Sequence, residues 1–210
     1  MHRTPEYTRS IRSALIALVV CCTISGTMHE AFAQKARYLV EIRAAAEKGW
    51  RDLPSGLQRW RENPNHSVLW GYNSPPQPLY LAGVYSYLYK VTGLELYAER
   101  SVALLAAYGD LRQTLPAGFE ATRAEYEQGV PSISNFFYLP PYVRAVREVK
   151  GSAAFQGPAR EKIERDVAES IDFIFRFPEW GAHNRAALRA EALLGAAEAL
   201  PDHKSSARWR

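Results

Sequence analysis

Two helical repeats joined by almost nothing restrict this fold more than any other feature. The run "LYLAGVYSYLYKVTG" places Leu79, Ala82, Val84, Tyr85, Leu88 and Val91 at intervals of three to four, and Gly93 stops it. The next run, "LELYAERSVALLAAYGDLRQ", holds Leu94, Tyr97, Val102, Leu105 and Tyr108 in phase. Only a "TG" turn separates them, so the two helices must lie antiparallel as an αα-hairpin. Hairpins of this kind are the repeating unit of α/α toroids and solenoids.

The same periodicity extends along the chain. "KARYLVEIRAAAEKGW" puts Leu39, Ile42 and Ala46 on one face of a first helix. Asp52 to Pro78 carries five of the thirteen prolines and reads mostly as loop, and Pro116 to Pro131 reads as a loop or lid. "NFFYLPPYVRAVREVKG" predicts a helix with Pro140 and Pro141 near its first turn, where missing N–H groups do little harm. "PAREKIERDVAESIDFIFRF" predicts another, with Ile163, Val167, Ile171 and Ile174 in phase and Phe177-Pro178 at its end. A last helix is expected from about Ala182 to Leu200, packing through a stripe of Ala186, Ala190, Leu193, Ala197 and Leu200. No run alternates long enough for a strand, so the expected class is all-α.

The first 33 residues read as an export signal. Arg3, Arg9 and Arg12 precede the apolar run "ALIALVVCCTIS", and "AFA" at Ala31 to Ala33 offers a cleavage site. The run is too short for a permanent membrane anchor, so a periplasmic or secreted product with no membrane attachment after cleavage is expected. Both cysteines, Cys21 and Cys22, fall within the signal, which excludes disulfide and thiolate chemistry from residues 34–210. Removing three Arg against Glu6 and Glu30 lowers the net charge from +4 to +3. With no Lys/Arg run, nucleic acid is not an expected partner. Residues 34–210 suit one domain.

The most concentrated chemistry lies in "FPEWGAHNRAALRAEALLGAAEALPD", where Trp180, His183, Asn184 and Arg185 precede a small-residue helix. By spacing alone, Asn184 reads as a favoured N-cap, His183 as a loop histidine, Trp180 as packing and Glu179 as a dipole partner. Asn184 and Glu191 align two turns apart, with Arg185 and Arg189 beside them. Trp70, Tyr72 and Asn73 in "LWGYNSPP" suit either loop anchoring or a sugar-stacking platform, since Trp and Tyr rings have apolar faces and polar edges. Tyr138 and Tyr142 read as packing residues. His66, His183 and His203 lack metal-ligand spacing, and no phosphate-binding Gly loop or nucleophile elbow is present, so no metal or cofactor is expected.

From about Leu79 onward the chain resembles the N-terminal α/α-toroid portion of the heparinase II/III and alginate lyase-like polysaccharide lyases. The matching passages are the hairpin, "IERDVAESIDFIFRFPEWGAHNRAALRAEALL" and "EALPDHKSSARW". The resemblance implies an incomplete (α/α) toroid of antiparallel hairpins that acts on, or binds, uronate-containing glycans of the alginate or heparin type by β-elimination. Asn184 would then neutralise the uronate carboxylate, with His183 or Arg185 assisting, and Trp180, Trp70, Tyr72 and Glu191 would contact the glycan. Charge neutralisation is what that chemistry needs, because the proton removed at C5 lies next to the carboxylate.

In such lyases a Tyr or His removes the proton, and the catalytic Tyr usually lies on a later toroid helix. This sequence stops at Arg210, in "SSARWR". The resemblance therefore implies a truncated, weakly active or inactive form whose bare helix faces favour self-association or poor folding. Two alternatives stay open: a non-catalytic oligosaccharide-binding helical module or remnant, and an α/α-toroid hydrolase using Glu120, Glu125 or Glu179 as acid and base.

Overall fold

The computed structural model describes residues 34–54, 78–113, 138–176 and 183–210, with backbone alone at 109–113 and 183–185. These residues are helical apart from short turns and contain no strand, so the chain is all-α over everything described. The expected signal segment and the loop expected from Pro116 to Pro131 lie outside the described residues. No described helix is long and apolar enough to cross a membrane.

Helix α1 covers residues 34–54, and the chain divides into two units between Ala44 and Ala45. In the first unit Leu39 and Ile42 are half-buried while Tyr38 and Val40 are exposed. In the second, Ala46 is buried. The helix continues past Asp52, where a loop was expected, because Lys48 pairs with Asp52 one turn later at 2.5 Å and supports the last turn.

Helices α2 (Pro78–Thr92) and α3 (Glu95–Gln113) form the expected hairpin. Gly93 makes the turn at φ +69°, in the left-handed region, and donates its N–H to the Tyr89 carbonyl at 2.7 Å. Thr92 Oγ1 donates to the Leu88 carbonyl at 2.6 Å and accepts from Leu94 N–H at 3.3 Å. Leu79, Leu81, Ala82, Tyr85 and Leu88 of α2 are buried, as are Ala98, Val102, Leu105 and Tyr108 of α3. The Ser101 hydroxyl joins the two helices by donating to the Ala82 carbonyl at 2.9 Å. One residue of the predicted stripe fails: Leu94 is 52% exposed. It precedes α3 in the turn, where helical phase no longer decides which way a side chain points. Val84 and Val91 are half-buried.

The remaining elements are α4 (Leu139–Val149), α5 (Gly157–Arg176), α6 (His183–Ala199) and the four-residue α7 (Ser206–Trp209). Pro140 and Pro141 lie in the first turn of α4, as predicted. The α5 stripe is also as predicted, with Ile163, Val167, Ile171 and Ile174 all buried. Tyr138 and Tyr142 are core residues, and the Tyr142 hydroxyl donates to the Leu105 carbonyl at 2.8 Å.

Ion pairs give the register. Lys90 meets Glu148 at 2.6 Å, C-terminal end to C-terminal end, so α4 runs parallel to α2. Arg144 pairs with Glu191, Arg147 with Glu198 at 2.7 Å, and Lys150 Nζ donates to the Glu198 carbonyl at 3.0 Å, so α6 runs parallel to α4. Helices α2, α4 and α6 therefore form a row with α4 in the middle, while α3 and α5 run the other way and pack on each other and on the row. These pairs are largely exposed, worth at most about 1 kcal/mol each. They specify which turn faces which; the apolar core between the helices supplies the stability.

The α6 stripe requires correction. Ala186 and Ala190 are exposed, whereas Ala192, Leu193, Ala196, Ala197, Ala199 and Leu200 are buried. The cause is the length of α4. Its Val143 lies against Gly195, where an added Cβ would come within 3.0 Å of Val143 Cγ1. Because α4 begins only one turn before Val143 and runs parallel, it starts near the level of Glu191 and leaves the opening turns of α6 beyond its reach. Sequence periodicity located a packing stripe but not the half of the helix that lies against α4.

Candidate functional site

Helix α6 begins at His183, so His183, Asn184 and Arg185 occupy its first turn. The first backbone N–H groups of a helix have no partner within it, and the macrodipole adds about half a positive charge at that end. The backbone of these three residues thus forms a helix terminus whose electrostatics favour an anion. Trp180, Trp70 and Tyr72 lie outside the described residues, as do Asn73, Glu120, Glu125 and Glu179.

The other polar residues of α6 are engaged with protein groups. Glu191, seven residues after Asn184 and so about 10.5 Å further along the axis, is ion-paired with Arg144 of α4. Arg189 Nε donates to the Ile174 carbonyl at 3.0 Å and its Nη2 to the Phe175 carbonyl at 2.9 Å. These are carbonyls in the last turn of α5, which has no later helical residues to satisfy them. Arg189 is therefore a helix cap. Replacing it with Met should lower stability by about 1 kcal/mol while leaving helix content unchanged, measured by thermal unfolding and circular dichroism.

A second concentration of polar groups was not anticipated. A cleft of about 570 Å³ runs along α5 from Arg160 to Asp172 and is walled by residues 199–204. At one end Asp172 accepts from Trp209 Nε1 at 2.8 Å, from Arg208 Nη2 at 2.5 Å and from Ser205 Oγ at 3.5 Å. Partial burial alone would push this carboxyl up. Hydrogen bonds from Trp209 and Arg208, with the charges of Arg208 and His203, outweigh it and hold Asp172 below the ordinary aspartate range. A carboxylate so engaged stays ionised at neutral pH and cannot serve there as a general acid. His203 stacks on the Trp209 indole, centroids 4.8 Å apart and planes 11° apart, and its Nδ1 accepts Ser205 N–H at 3.2 Å. Nothing in the local sequence signals this cluster, because Asp172 and its partners are more than 30 residues apart.

A third cluster joins residues 45–54 of α1 to the hairpin. Arg100 is ion-paired with Glu47, donates to Tyr85 Oη at 3.0 Å, and lies 5.1 Å from the Trp50 ring and 5.3 Å from the Tyr85 ring. Tyr85 in turn donates to the Ala46 carbonyl at 3.0 Å. Burial raises the Tyr85 phenol, Glu47 adds to that, and the Arg100 charge opposes it. Every polar atom of this set that takes part is satisfied by another, which marks it as a structural tie. Among the described residues no group of His, Cys, Asp and Glu is placed to hold a metal ion.

No protein-family model, curated protein or solved structure matches this chain.

Proposed function

We propose that this chain is a polysaccharide lyase-like helical module that binds uronate-containing glycans through the opening turn of α6, with Asn184 at the uronate carboxylate and His183 and Arg185 beside it. One observation carries the reading. The helix starts at His183, so the polar triplet sits where unpaired N–H groups and the helix dipole favour an anion. The hairpin α2–α3 and the parallel row α2, α4 and α6 support an α/α-toroid arrangement, in which successive hairpins stack in this way. In this reading the chain is exported, its ligand is an acidic polysaccharide or oligosaccharide, and any turnover is β-elimination.

Calorimetric titration with an alginate or heparin-derived oligosaccharide tests the site. Loss of a hydrogen bond to a charged group should weaken binding of the Asn184→Ala variant about tenfold or more. Wild-type affinity in that variant overturns the assignment. Elimination leaves an unsaturated uronate that absorbs in the ultraviolet, and hydrolysis does not, so product absorbance separates lyase from hydrolase. Binding that depends on Asn184 without product of either kind identifies a binding module.

A further inference from the structure

Residues 203–210 follow the end of α6 opposite to the proposed glycan site. After α6 ends at Ala199, the chain turns at Leu200 and Pro201, with His203 N–H bonded to the Leu200 carbonyl at 3.1 Å, and folds back along α5. The returning segment includes α7 and places Trp209 in the core at 2% exposure, although only four residues of helix hold it. Helix propensity cannot stabilise so short an element, so its position depends on side-chain anchors.

Nearly all of the polar anchors converge on one acceptor. Asp172 takes the Trp209 indole N–H, the Arg208 guanidinium and, more distantly, the Ser205 hydroxyl. Arg208 also lies 4.9 Å from the Phe175 ring, one turn along α5. Ser206 Oγ, donating to the Ala197 carbonyl at 3.1 Å, is a side-chain anchor that does not involve Asp172. Asp172, Asp202, His203 and Lys204 all line the α5 cleft, so the segment held by Asp172 is continuous with one wall of that cleft.

We propose that residues 203–210 form a strap closing the cleft along α5, and that the ionised Asp172 carboxylate is its latch. Charged groups around the latch are His203, Lys204 and Arg208 on the strap, Asp202 on the adjoining wall, and Glu169 and Arg176 one turn away on α5. Protonating Asp172 removes the negative charge that Arg208 and Trp209 share. The strap then detaches from α5, taking His203 and Lys204 with it and opening the cleft into a groove. The sign follows from the depressed carboxyl. Its stabilising contribution is complete above the ordinary aspartate value of 3.8 and is lost as pH falls through the lower value of the folded state.

Hydrogen exchange of the full chain, read by mass spectrometry as protection factors per segment, tests this. At neutral pH the Asp172→Asn variant should lose about tenfold or more of its protection over residues 203–210, with α2 and α4 unchanged. In the wild type, acid should remove protection from the strap at a higher pH than it removes protection from α4. The proposal falls if Asp172→Asn keeps wild-type protection over 203–210, or if acid opens the strap and α4 together. Should Asp172→Asn not fold, Arg208→Met and Trp209→Phe each delete one donor to Asp172 and should each lower strap protection in part. Full protection in both variants would equally overturn it.

Discussion

Replacing Tyr142 with Ala should lower the unfolding free energy by about 3–5 kcal/mol, a large part of the total for a domain of this size. The ring is 0% exposed at the start of α4 and stands against the Tyr108 ring of α3, centroids 6.1 Å apart. Truncation to Ala loses the transfer energy of the ring and leaves a cavity between two helices whose backbones are fixed by other contacts. The hydroxyl contributes separately through its bond to the Leu105 carbonyl at 2.8 Å. Tyr142→Phe keeps the ring and should cost only about 0.5–1.5 kcal/mol, since it removes one net hydrogen bond. Denaturant titration of both variants checks the partition. A wild-type midpoint for the Ala variant would mean that the α3–α4 contact is not part of the stabilising core.

The second large effect is expected at Gly195. Its absent side chain lets α6 close on α4, and a Cβ there would meet Val143 Cγ1 at 3.0 Å. Gly195→Leu improves helix propensity by about 1 kcal/mol. Against this, it forces a branched side chain into space that Val143 already fills, an overpacking typically costing about 1–3 kcal/mol and more where neighbours cannot shift. The clash should win, because Val143 is buried on a helix packed along both sides. Val143→Ala should partly rescue it. The two substitutions should therefore couple favourably in a double-mutant cycle, although each alone destabilises. Strict additivity would show that the helices do not meet at this pair.

Much of the fold was legible because its repeats obey one rule. On α5, Ile163, Val167, Ile171 and Ile174 fall on the buried face as their spacing requires. The "TG" turn forced the hairpin, and Gly93 at positive φ performs it. Failures occurred where periodicity says nothing about neighbours. Leu94 kept phase but stands in a turn, and Ala186 and Ala190 kept phase on a part of α6 that α4 is too short to reach.

The site was legible only as local composition. The triplet His183, Asn184 and Arg185 is consecutive in sequence and so shares the first turn of α6. Glu191 was grouped with it by angular alignment alone, yet its carboxylate is occupied by Arg144 of another helix, a contact no spacing rule contains. The Asp172 cluster was invisible for the same reason. It is assembled from segments 31 to 37 positions apart, by a four-residue helix too short to announce itself.

The row α2, α4 and α6 bears on how disturbance spreads through the molecule. Helix α4 neighbours both of the others, so the hairpin and the α5–α6 assembly are coupled mainly through α4 and the α3–α5 contact. Where each element interacts chiefly with the next, stability approximates a sum of nearest-neighbour terms, and opening starts at the flanks. Loosening around Asp172 at one flank and around Arg100 at the other are then separate events, each with its own free energy. Loss of α4 is different: it removes most of the shared interface and leaves the two sides coupled chiefly by the α3–α5 contact.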